Sequence, residues 1–75
     1  MTRLPRITAK QMIAALKRAG WIETRTRGSH IHMKHSKRPG RVTIPRHSGQ
    51  ILMPKLVLYI LDQAGLTVEE LASLL

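Results

Sequence analysis

The stretch Trp21-Ile22-Glu23-Thr24-Arg25-Thr26-Arg27-Gly28-Ser29-His30-Ile31-His32-Met33-Lys34-His35 alternates in character on both sides of a Gly-Ser pair. Side chains of a β-strand point to opposite faces in turn, so alternation sorts them. From Trp21 to Arg27, Ile22, Thr24 and Thr26 share one face, and Glu23, Arg25 and Arg27 share the other. Gly28-Ser29 reads as a turn. From His30 to His35, Ile31 and Met33 face one way, and His30, His32 and Lys34 the other. Two such runs around a tight turn predict an antiparallel hairpin.

A third strand follows. Ser36 to Gly40 reads as a basic turn around Pro39, and Arg41 to Pro45 alternates again, with Val42 and Ile44 inward and Arg41 and Thr43 outward. Upstream, residues 1–6 read as a short polar arm containing Pro5. Thr8 with Gln11 three residues on forms a capping box, and Met12, Ile13, Leu16 and Ala19 recur at helical spacing. These signals predict a helix from about residue 8 to 19. Gly20 is its stop, and Trp21 is placed to fold back on the last turn.

Downstream, Arg46 to Met53 reads as a loop around Gly49. Pro54 suits the first position of a helix, Leu56 to Leu61 is almost wholly apolar, and Gly65 ends it. Thr67 and Glu70 form a second capping box, which opens a short last helix with Val68, Leu71, Leu74 and Leu75 on its apolar side. The expected class is α+β in the order α-β-β-β-α-α. One sheet face, carrying Ile22, Ile31, Met33, Val42 and Ile44, must be covered by the helices. The other collects Arg25, Arg27, His30, His32, Lys34 and Arg41.

Charge reinforces this division. All 13 Lys and Arg residues lie between Arg3 and Lys55, a stretch with one acid, Glu23, while Asp62, Glu69 and Glu70 sit in the last 14 residues. The net charge of +9 is therefore polarised, and such a face attracts a polyanion, nucleic acid foremost. Seventy-five residues predict one domain spanning 1–75. A chain this small buries only a little more than about 60% of its unfolded surface, so association with a partner would help it. There is no Cys for a disulfide or a cysteine-based zinc site. No apolar run reaches the length of a membrane span, and no secretory h-region opens the chain. A cytoplasmic protein with no membrane association is expected.

Four acids, three of them at one end, make a poor two-metal nuclease. Zinc held by His30, His32, His35 and His47 is a possible but atypical set, since structural zinc sites usually include Cys. Metal-free RNA cleavage needs less. RNA carries its own nucleophile in the 2′-OH, a histidine can move its proton, and Lys and Arg can stabilise charge on the phosphate. His30, just after the Gly-Ser turn, is the candidate catalytic group. Ser29, His32, Arg25, Arg27, Lys34, Arg41 and Arg46 are candidate RNA contacts. Two other readings stay open. One is a non-catalytic RNA-binding module using the same face. The other is a DNA-reading helix-turn-helix over Leu58 to Leu75, although its second helix opens with Glu69 and Glu70 and carries no base.

Ala19-Gly20-Trp21, Gly28-Ser29-His30, Val42-Thr43-Ile44-Pro45-Arg46-His47 and Ile60-Leu61-Asp62-Gln63-Ala64-Gly65-Leu66-Thr67, in this order in a short basic chain, resemble the HicA family of mRNA interferase toxins. The chain departs from that family before its second helix, where Met53-Pro54-Lys55-Leu56 replaces a Gly-Thr-Leu-like start. The resemblance implies a fold similar to a double-stranded-RNA-binding domain, with a three-stranded antiparallel sheet and helices on one face. It implies a toxin of a type II toxin–antitoxin system that cleaves mRNA without the ribosome and halts translation. It also implies catalysis by the histidine of the Gly-Ser-His motif, here His30, and a HicB-type antitoxin that blocks the site. No metal or other cofactor is expected, and the free toxin is expected to be a monomer.

Overall fold

A computed structural model describes residues 3–75 of the chain. The elements are α1 (Ala9–Arg18), β1 (Trp21–Arg27), β2 (His30–His35), β3 (Arg38–Pro45), α2 (Pro54–Ala64) and α3 (Val68–Leu74). The strands form one antiparallel sheet in the order β1-β2-β3. The α-β-β-β-α-α order and the α+β class are therefore those expected from the sequence.

Local chemistry sets the helix ends. The Thr8 side chain accepts from the Gln11 backbone, and the Gln11 side chain in turn accepts from the Thr8 backbone N–H. Thr67 and Glu70 repeat this box at α3. Pro54 lies in the first turn of α2, where its missing N–H costs nothing, and Gly65 closes that helix in the left-handed region at φ 69°.

The last turns of α2 and α3 contain no base of their own. Arginines from elsewhere serve them. Arg38 Nη1 donates to the carbonyl oxygens of Ala64 at 3.3 Å and Gly65 at 3.4 Å. Arg18 Nη1 donates to the Leu74 carbonyl at 2.6 Å. A cation at a helix C-terminus complements both the unpaired carbonyls and the dipole. Part of the positive charge thus holds the fold and is not available to a ligand.

The core joins Met12, Ala15 and Leu16 of α1, Trp21, the inward residues Ile31, Met33, Val42 and Ile44, and Val57, Ile60, Leu61 and Leu71 of the last two helices. Leu4 is half-buried against this core, Ile7 is buried, and the Leu52 N–H donates to the Ile7 carbonyl at 2.8 Å. The polar arm expected over residues 1–6 is thus anchored from Leu4 onward, and its first two residues lie outside the described ones.

Two departures from simple alternation matter. β1 carries a bulge between Glu23 and Arg25, with Thr24 as the extra residue. Below the bulge the facing inverts: Trp21 is buried at 1% exposure, while Ile22 is 62% exposed and pairs with Lys34 on the outer face. The expected inward placement of Ile22 is therefore wrong. Glu23, expected outward, turns to the helices and pairs with Lys17 of α1 at 3.0 Å. A tryptophan has more apolar surface to bury than an isoleucine, so the register that buries Trp21 wins.

The second departure is in β3, which begins at Arg38 and not Arg41. The turn is the pair Ser36-Lys37, and His35 faces Arg38 while Met33 faces Val42. The residues Pro39, Gly40 and Arg41 form an irregularity in an edge strand, where Pro39 loses no ladder bond and Gly40 adopts φ 86°.

Candidate nucleic-acid interface

The outer face of the sheet is built in rungs. Arg27, His30 and Pro45 are partners across the three strands, and Arg25, His32 and Thr43 form the next rung. The β1 bulge leaves Arg25 and Arg27 on this face, each opposite a histidine. Lys34 lies beyond His32, and Arg41 alternates with the buried Val42. Arg25, Arg27, Ser29, His30, Lys34 and Arg41 are exposed, and His32 is half-buried. The structure thus brings together six of the residues chosen from sequence: Arg25, Arg27, His30, His32, Lys34 and Arg41.

The Gly28-Ser29 turn sits at the His30 end of this face. Gly28 takes φ 59°, which a side chain disfavours, and the Ser29 carbonyl accepts from the Arg46 N–H at 2.6 Å. That bond ties the turn to the chain leaving β3. Arg46 itself does not join the outer face. It lines two clefts on the α1 side, one with Lys10, Lys17 and Glu23 and the other with Lys10, His47 and Ser48. Lys10 is a cation near the site that sequence reasoning missed. Its position in α1 gives no hint that the loop after β3 returns beside it.

The four histidines do not converge. His35 faces the helices: Nε2 is 3.1 Å from the Ala19 carbonyl, Nδ1 accepts from the Lys37 N–H at 2.9 Å, and the ring meets Trp21 edge-on at 5.4 Å. This arrangement explains Gly20, since a Cβ there would lie 2.6 Å from His35 Nε2. With both ring nitrogens engaged, His35 cannot join His30 and His32 on the opposite face. Among the described residues no group of three His, Asp or Glu side chains is placed to hold a metal ion.

Among the described residues, His32 is the one outer-face histidine with a side-chain partner, its Nδ1 lying 2.9 Å from Thr43 Oγ1. Partial burial holds its pKa below the ordinary 6.5, and the charges of Arg41, Arg25, His30 and Arg27 act in the same direction. The pKa of Glu70 is also lowered, chiefly by the Thr67 backbone N–H that its carboxylate accepts. Both groups bind a proton less readily folded than unfolded, so acid favours the unfolded chain. The melting temperature should therefore decline as pH falls below 6.5, and more steeply below 4.5, the ordinary values for His32 and Glu70. Thermal melts across this range check it; a melting temperature that rises on acidification would contradict both shifts.

The C-terminal helices do not present a reading head. Leu71 of α3 is fully buried, α3 packs on α1, and the first turn of α3 is acidic. No helix among the described residues is long and apolar enough to cross a membrane. A comparison with curated proteins finds no match for the chain. Residues 9–66, from the start of α1 through the whole outer face to the turn before α3, match the family described as the HicA toxin of bacterial toxin-antitoxin. The chain belongs to the HicA family and is the toxin of a toxin–antitoxin system, with an antitoxin as its partner.

Proposed function

We propose that this toxin is a metal-independent endoribonuclease that cleaves mRNA and so halts translation. The observation that carries this reading is the rung of Arg27 and His30 beside the Gly28-Ser29 turn, on an exposed cationic sheet face. An RNA backbone laid over that face brings its 2′-OH and scissile phosphate to His30, which acts as general acid or base. Arg25, Arg27, Lys34 and Arg41 hold the flanking phosphates and stabilise charge on the reacting one. Ser29 lies at the rim, and Arg46 with Lys10 extends the cationic surface around the edge. The HicB-type antitoxin inhibits by covering the outer face. The chain acts as a single domain, monomeric when free, in the cytoplasm where mRNA is found.

The test uses a long single-stranded RNA in excess EDTA, beside the same sequence made as DNA. Cleavage of the RNA alone supports the reading, because only RNA supplies the 2′-OH. Tight binding without cleavage makes the chain a non-catalytic RNA-binding module instead. Cleavage abolished by EDTA and restored by a divalent ion overturns the metal-free chemistry.

Affinity should depend on salt. Four phosphate contacts by Arg25, Arg27, Lys34 and Arg41 give a slope of log K against log salt of about −2.8 for single strands, and any contact by Arg46 steepens it. Titration of a noncleavable 2′-deoxy analogue between about 50 and 200 mM salt measures it. A flat response removes the outer face from RNA binding.

A further inference from the structure

His30 and His32 lie two residues apart on β2, on the same face of the sheet. That spacing separates their Cα atoms by about 6.6 Å. In an in-line displacement at phosphorus, the attacking and leaving oxygens lie on opposite sides of the phosphorus. Two imidazoles at strand spacing can bracket those two oxygens, one serving each.

The two rings differ in their surroundings. His30 is exposed at the turn, opposite Arg27. His32 is half-buried one rung further in, with Nδ1 on Thr43 Oγ1. A threonine hydroxyl can accept an imidazole N–H whether the ring is neutral or protonated. The one hydrogen bond therefore serves both states of the ring. With the Nδ1 proton on Thr43, the lone pair lies on Nε2, which has no partner among the described residues.

Building on the ribonuclease reading above, we propose that His32, positioned by Thr43, is the general base of the cleavage and that His30 is the general acid. His32 Nε2 takes the proton of the 2′-OH, and the 2′-oxygen forms its bond to phosphorus. The bond from phosphorus to the 5′-oxygen breaks, and the His30 imidazolium gives that oxygen its proton. The products are a 2′,3′-cyclic phosphate and a 5′-hydroxyl end. Exchange with water then returns both rings to their starting states. The lowered pKa of His32 favours the neutral form that a base needs. The groups facing it are Arg25 and Arg27 on β1, His30 and Lys34 on β2, and Arg41 on β3, all cationic or titrating to a cation.

The deciding experiment uses an oligoribonucleotide with one bridging 5′-thio linkage, whose thiolate departs without being protonated. His30→Ala should recover most of its lost rate on this substrate. His32→Ala and His32→Gln should remain about 100-fold or more slow on both substrates when measured at saturating enzyme, where a lost RNA contact does not enter the rate. Thr43→Val should slow cleavage and move the acidic limb of the pH–rate profile to lower pH, since Thr43 accepts more strongly from the imidazolium than from the neutral ring; Thr43→Ser should restore both. Native-like rates for both His32 variants, or their recovery on the thio substrate, overturn the assignment. A native chain that cuts neither substrate overturns the ribonuclease reading itself.

Discussion

His30→Ala is expected to cut RNA about 10²- to 10⁴-fold more slowly than the native chain, with little change in RNA affinity. A 10³-fold loss corresponds to about 4 kcal/mol of transition-state stabilisation. The expectation rests on exposure and place. His30 is a solvent-exposed strand residue outside the buried core, so its truncation should change stability by no more than about 0.5 kcal/mol. The cations that bind phosphate are separate side chains and remain. Loss of rate without loss of fold or binding is the signature of a group acting on the reacting atoms. The measurement is single-turnover cleavage at saturating enzyme, paired with the binding titration and a denaturant melt. An undiminished rate would remove His30 from the chemistry. A parallel fall in affinity would place it among the phosphate contacts instead.

The overall order of elements was legible because each signal is local. Capping boxes at Thr8 and Thr67, the stop at Gly20, Pro54 at the head of α2 and the Gly28-Ser29 turn depend on neighbours within four residues. The outer face was legible for a related reason. From Arg25 onward the hairpin keeps strict alternation, so Arg25, Arg27, His30 and His32 emerge together. What could not be read was set by competition across the fold. Only the demand of the core for Trp21 decides where β1 bulges, and that choice relocates Ile22 and Glu23 at once. Arg38 looked like one more base in a charged turn, but it reaches 26 residues along the chain to the end of α2. Thr43 looked like an outward strand residue, and its bond to His32 required the β2–β3 register. Arg46 followed the strand end in sequence, but the chain bends there toward Lys10. Local chemistry therefore identified the candidate catalytic residue, and long-range packing supplied its surroundings.

The register of β1 makes a second large prediction, drawn from two adjacent residues. Trp21→Ala should destabilise the chain by about 3–5 kcal/mol, the cost of emptying a large buried site. Trp21 is 1% exposed, sits in the central cluster and packs edge-on against His35, which is itself tied to the end of α1 through Ala19. Native stability scales at roughly 0.05–0.15 kcal/mol per residue, so a chain this short has about 4–11 kcal/mol in all. Trp21→Ala alone should therefore remove a large share of it. Ile22→Ala, one residue along, should cost within about 0.5 kcal/mol, because its side chain lies on the outer face beside Lys34. In a strand without the bulge these two results would exchange places: Ile22 would enter the core and Trp21 would stand on the cationic face. Urea midpoints of the two variants distinguish the registers directly. The consequence stops short of the rungs at the turn, because the Gly28-Ser29 turn pairs Arg27 with His30 and Arg25 with His32 whether or not Thr24 bulges. A small loss for Trp21→Ala with a large one for Ile22→Ala would require β1 to pair without its bulge, and Lys17 would then lose Glu23 as its partner.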